Sequence, residues 1–261
     1  MADLNPNRSR MGIPHTAAQG GVMIDEGLRA YMLSVYNLMA LGLAITGVAA
    51  LGMSMLATTN DPASAVATMG NGVMLTSIGT ALYGSALRWV VMLAPLAFVF
   101  FLSFRIQSMS VAAAQGTFWA YAGVMGLSLS SILLVYTGQS VVQTFFVTAA
   151  SFGALSLYGY TTRRDLSAIG SFMVMGLFGL IIASLVNLFL ASSALQFAIS
   201  AAGVLIFAGL TAWDTQDIKN MYYEGEDADT MGRKAVMGAL RLYLDFINMF
   251  MFLLRFLGDR R

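Results

Sequence analysis

Two aspartates stand where a carboxyl group is costly. Asp245 lies in the run Leu242-Tyr243-Leu244-Asp245-Phe246-Ile247-Asn248-Met249-Phe250, about eight residues into an apolar stretch, or ~12 Å along a helix axis. Asp214 closes another apolar stretch, in Ala212-Trp213-Asp214-Thr215-Gln216-Asp217-Ile218-Lys219. Ile218, Met221 and Tyr222 continue it at helical spacing, so that helix runs about two turns past Asp214. An ionisable side chain inside a membrane span costs about 2.5–3.5 kcal/mol on insertion scales, so each one needs a partner or a task. Asn248 at i+3 and Arg241 at i−4 share the face of Asp245, which makes that face polar while Phe246, Phe250 and Leu253 can meet lipid. Two carboxyl groups brought together in low dielectric share one proton and titrate as a coupled pair, whereas a neighbouring arginine favours ionisation of both. Ionised, the pair offers hard oxygen ligands, weak and transient ones, to a divalent cation such as calcium rather than to a transition metal. The plainer alternative is a hydrogen-bonded structural pair.

Composition says what must hold these groups. Of 261 residues, 58% are apolar and 10% charged, and the mean hydropathy is +0.74; a water-soluble domain carries about 25% charged residues. The chain is therefore expected to be an integral membrane protein. A net charge of +1 offers no bulk attraction for nucleic acid. Cysteine is absent and the single histidine, His15, sits in the polar N-terminal region, which leaves no thiolate or imidazole chemistry in the body of the protein. No enzymatic activity and no cofactor are expected. The only lysines, Lys219 and Lys234, precede the last apolar stretch, so a retinal Schiff base has no anchor there. The Gly-x-Gly-Asp pattern of intramembrane aspartyl proteases is missing.

Seven stretches are long enough to cross hydrocarbon as helices: 31–56, 87–105, 114–136, 142–162, 168–190, 195–213 and 238–257. Their apolar runs are continuous rather than alternating, which argues against a β-barrel. Residues 1–30 read as a polar, mobile tail, 31–258 as a seven-helix transmembrane domain, and 259–261 as a short C-terminal tail. The loop 57–86 reads as lying on the interface. With the N-terminus inside, ten of the fourteen basic residues fall on the cytoplasmic side and four (Arg88, Arg255, Arg260 and Arg261) on the other, as the positive-inside rule requires. Seven crossings put the C-terminus outside; six spans plus a re-entrant segment would put it inside. In the seven-span frame the second and sixth spans descend and the seventh rises, so Arg105, Asp214 and Asp245 converge at one depth in the inner half.

Leu28-Arg29-Ala30-Tyr31-Met32-Leu33-Ser34-Val35-Tyr36, Tyr158-Gly159-Tyr160-Thr161-Thr162-Arg163-Arg164-Asp165-Leu166-Ser167, Ala212-Trp213-Asp214-Thr215-Gln216 and Leu242-Tyr243-Leu244-Asp245-Phe246-Ile247-Asn248 resemble the transmembrane Bax-inhibitor-motif family in its bacterial branch, over residues 28 to 258. The resemblance implies a seven-helix bundle in a bacterial cytoplasmic (inner) membrane, with the last helix central and the other six around it. It further implies a pH-sensitive calcium leak channel gated by an aspartate pair on the sixth and seventh helices and an arginine on the second. Asp214 and Asp245 fall on the two aspartate motifs, and Arg105 is the match for the arginine. The chain departs from some members in having no acidic residue within 87–104; Asp259, at i+4 from Arg255, could substitute as the partner of that arginine.

A rival reading is a membrane-embedded interaction protein that modulates a membrane protease or assembly factor. The acidic loop Asp217–Arg233, with Glu224, Glu226, Asp227 and Asp229, or the N-terminal tail, would then be the handle. Docking tolerates replacement of the intramembrane aspartates; ion conduction does not. The orientation is checked directly, because no native cysteine interferes with labelling. Cysteines introduced after positions 85, 139 and 193 should react with an impermeant maleimide from outside intact cells, and reaction of position 139 only from the cytoplasm would overturn the N-inside assignment.

Overall fold

The structure, a computed structural model, describes residues 25–261. The expected tail of residues 1–30, with His15, falls mostly outside the described residues. Seven long helices follow: α1 (Glu26–Ala57), α2 (Leu87–Arg105), α3 (Val111–Leu129), α4 (Gly138–Thr161), α5 (Ser167–Leu190), α6 (Ser193–Asn220) and α7 (Ala228–Leu257). All seven expected spans are present, and the fold is an all-α membrane bundle. Helices are what hydrocarbon demands, since each backbone N–H and C=O must be satisfied within its own segment.

The boundaries follow capping chemistry rather than the ends of the apolar runs. Asp25, Ser110, Thr137, Ser192 and Asp227 cap α1, α3, α4, α6 and α7, each accepting from the backbone N–H three residues on; such caps satisfy donors that the first turn leaves free. The hydrogen bonds from Thr230 hold the exposed Asp227 carboxyl below the usual carboxylate range. Helix α7 starts ten residues before the apolar stretch that marks its span, because its first turns are amphipathic rather than apolar. Ala191, the one non-glycine residue with positive φ (48°) among those described, makes the turn between α5 and α6, where Ser192 N–H donates to the Asn187 side chain at 3.0 Å.

Helix α7 is the axis of the bundle. In its apolar stretch 72% of the residues are buried, against 6% in α5 and 17% in α2. It packs on α6, α1, α4 and α3, whereas α2 rests mainly on α3 and α5 mainly on α6. The expected ring of six around the last helix is thus four inner helices with two flanking ones. On one side Tyr243 lies edge-on to Phe118 and Tyr121 of α3 and shares a 2.6 Å hydrogen bond with Thr46 of α1. A second polar chain, Tyr36–Ser156–Thr215, ties α1 to α4 and α6 through hydrogen bonds of 2.5 and 2.9 Å.

The loop between α1 and α2 is more ordered than expected. Three two-residue strands, β1 (Thr58–Thr59), β2 (Ala67–Thr68) and β3 (Met74–Leu75), pair antiparallel in the order β1-β3-β2. Gly72, at φ 85°, makes the turn into β3, a conformation that an L side chain resists. Asn71 Nδ2 donates to the Leu134 carbonyl, fastening the loop to the short helical turn Ile132–Val135 that follows α3. At the same end the last residues close on the turn before α4: Thr137 N–H donates to the Asp259 carbonyl at 3.0 Å and Arg261 N–H to that of Val135 at 2.9 Å. Arg255 lies over the Phe252 ring instead of pairing with Asp259 among the described residues.

Small residues matter one by one. A Cβ on Gly126 would come within 2.5 Å of the Thr46 carbonyl, whereas one on Gly123 meets nothing within 4 Å. Only Gly126 sits where the backbones of α1 and α3 touch, the close approach that small residues permit in membranes. Gly126→Val should therefore cost about 1–3 kcal/mol through overpacking, read as a lower thermal midpoint in detergent. Gly123→Val should stay within about 0.5 kcal/mol of the parent, and equal effects would show that the contact does not limit packing.

Candidate ion site between the sixth and seventh helices

Asp245 is on the opposite side of α7 from Tyr243, two residues away, and faces α6. It is 4% exposed, and the carboxyl groups of Asp214 and Asp245 lie within hydrogen-bonding reach of each other. No N–H donates to Asp245 among the described residues, and its Oδ2 is buried without such a partner. A pair of acceptor-only groups at this range holds together through a shared proton, and when both are ionised they repel.

The cation beside the pair is Arg241, one turn before Asp245. Its Nη1 donates to Asp217 Oδ2 at 2.5 Å and lies 3.9 Å from Asp214 Oδ1. Two of the three expected residues thus come together, and Arg105 does not join them. It is exposed at the end of α2, pairs with no carboxylate among the described residues, and sits on a helix that packs on α3 rather than α6. Common depth in alternating spans gives no angular position around the bundle. The spacing signals the arginine that lies beside the pair, since Arg241 is at i−4 from Asp245 and on its face.

Around the pair is a cavity of about 650 Å³ bounded by α5, α6 and α7, which also takes in Arg241 and Asn248. No group of three or more His, Cys, Asp or Glu side chains that could hold a metal ion occurs among the described residues.

The acidic stretch before α7 is largely committed to the fold. Glu226 receives Lys234 at 2.5 and 2.6 Å, Asp227 caps α7, and Asp217 holds Arg241. Glu224 stays exposed in the turn and Asp229 lies in the first turn of α7.

The Arg241–Asp217 pair should couple measurably. Both side chains are 37% exposed, so solvent screening limits the pair to roughly 0.5–1 kcal/mol. A double-mutant cycle of Arg241→Gln and Asp217→Asn, read by thermal unfolding, should return that coupling. Additive effects would mean that Arg241 is held by Asp214 rather than by Asp217.

Sequence comparison agrees with this architecture. The family model described as "Inhibitor of apoptosis-promoting Bax1" matches residues 28–261. An uncharacterized protein of Rickettsia prowazekii is 49% identical over 91% of this chain and 92% of its own length. One of Caulobacter vibrioides is 45% identical over the full length of both. The inner membrane protein YbhL of Escherichia coli K12 is 43% identical over 90% of this chain and 94% of its own. With the match spanning six of the seven helices from end to end and nearly all of α1, the chain belongs to the Bax inhibitor family.

Proposed function

We propose that the protein is a pH-sensitive calcium leak channel of a bacterial inner membrane, with Asp214 and Asp245 as its proton-operated latch. The observation that carries the reading is the pairing of two carboxyl groups deep in the bundle with no other hydrogen-bond donor to Asp245 among the described residues. The inner-membrane assignment is supported by the name of the Escherichia coli relative. The N-inside orientation is supported by the distribution of basic residues, and it puts the latch toward the cytoplasm.

In the closed state one proton bridges the two carboxyls and holds α6 to α7. Loss of that proton leaves two anions in low dielectric, and their repulsion separates the helices. Arg241 sets the threshold. It is 3.9 Å from Asp214 while held by Asp217, so turning toward the pair would offset the repulsion and keep the helices together. This task falls to Arg241 rather than Arg105. The two anions then offer oxygen ligands to calcium as cargo. A pair of carboxylates binds it weakly enough to release it, as conduction requires.

Because protonation closes the latch, calcium flux should rise with pH. In liposomes containing the purified protein, Asp245→Asn and Asp214→Asn should each flatten that dependence, since a carboxamide keeps the shape and removes the titration. Unchanged pH profiles in both variants would exclude the latch and favour the reading as an interaction protein. That reading has fewer free groups to work with, because Glu226, Asp227 and Asp217 are already engaged.

A further inference from the structure

The cavity beside the carboxyl pair is much larger than a cation needs. At about 650 Å³ it falls in the range of sites that take small organic molecules, about 300–1,000 Å³. Most of its wall is apolar, contributed by side chains such as Leu177, Ile181, Leu185 and Phe252. Leu185 and Leu188 on that wall are 57% and 75% exposed on the outside of the bundle. Helices α5 and α7 both line the cavity yet pack mainly on α6 rather than on each other. Its mouth therefore opens sideways, toward lipid.

The polar part of the wall is mostly acceptor, with Arg241 and the Trp213 indole as its donors. Asp214 and Asp245 are acceptors. Asn248 Nδ2 donates to the Leu244 carbonyl at 2.8 Å, an orientation that avoids setting two acceptors face to face and leaves Oδ1 to accept. Ser184 Oγ donates to the Leu180 carbonyl at 2.7 Å and likewise keeps its lone pairs. Arg241 is turned to Asp217. With one proton shared between the aspartates, the pair together with Arg241 and its partner Asp217 carries one negative charge, and the wall has a surplus of acceptors. An occupant that satisfies it brings a positive charge, N–H donors and an apolar body.

We propose that this cavity binds amphiphilic amines, a protonated primary or secondary amine resting on Asp214, Asp245 and Asn248 with its apolar body between α5 and α7, entering from the bilayer. The site uses the same carboxyl pair as the proposed latch. It rests, however, on the shape and acceptor surplus of the cavity and not on any movement of calcium.

The test uses the full chain in nanodiscs of zwitterionic phosphatidylcholine, without calcium, with empty nanodiscs subtracted. Trp213 lines the cavity, and in a Trp89→Phe, Trp119→Phe background it is the one remaining tryptophan of three. Its fluorescence reports occupancy. Decylamine should perturb it saturably and bind at least about tenfold more tightly than decan-1-ol or decyltrimethylammonium, since charged hydrogen bonds are worth about 1.5–3 kcal/mol. Asp214→Asn and Asp245→Asn together should bring decylamine down to the level of the alcohol, whereas either change alone leaves one carboxylate. Leu185→Trp, which fills the mouth and leaves the carboxyls in place, should abolish binding when read by thermal shift. Equal affinity for the alcohol or for the quaternary ammonium would overturn the proposal, as would a preference for the amine that survives in the Asp214→Asn, Asp245→Asn double variant or in Leu185→Trp. Calcium flux in a protein that fails to bind decylamine would leave the latch standing and remove only this site.

Discussion

A polar side chain in hydrocarbon must find its partner inside the protein, and on the central helix this requirement organises the bundle. Tyr243 and Asp245 project from opposite sides of α7. Tyr243 is satisfied by Thr46 and framed by aromatic rings of α3; Asp245 faces Asp214 on α6. One helix is thereby keyed to α1 and α3 on one side and to α6 on the other. The two keys differ in kind. A tyrosine hydroxyl meeting a threonine hydroxyl is neutral at any physiological pH, so that side of the bundle holds its arrangement. A carboxyl meeting a carboxyl depends on a proton. On the proposed reading this asymmetry leaves the α6 side as the one that a proton can loosen.

Much of this was legible before any coordinates. Continuous apolar runs locate all seven spans, because hydrocarbon imposes a minimum length and tolerates few charges. The two aspartates stand out for the same reason. Capping and amphipathicity were less visible. Residues 228–237 are helical although polar on one face, and an apolar-run criterion passes over them. The small β-sheet in the loop between α1 and α2 consists of two-residue strands, too short for any alternation to register.

The choice of arginine marks where depth arguments stop. Arg105 and Arg241 end up near the same membrane level in a topology drawn flat. A drawn topology has no azimuth, and α2 rests mainly on α3 rather than on α6. Local helical geometry is the stronger guide, because residues three or four apart share a face whatever the tertiary fold does. The acidic stretch before α7 teaches the same lesson. Read as composition it is a run of free carboxylates; in the structure three of them, Asp217, Glu226 and Asp227, neutralise Arg241 and Lys234 and cap α7.

The central position of α7 also has a consequence for biosynthesis. The helix with the most buried surface, 72% of its apolar stretch, is the seventh to leave the ribosome. Until it arrives, Asp214 lacks its carboxyl partner and Thr46 its tyrosine, although α1, α4 and α6 are already joined through Tyr36, Ser156 and Thr215. The first six spans, already joined in pairs such as α1 with α3 and α4 with α6, then hold an open cleft that the incoming helix enters and closes. Tertiary assembly is then completed only at the end of translation, and a ribosome stalled before residue 228 would leave in the membrane a six-helix chain whose polar face remains accessible to quality-control proteases.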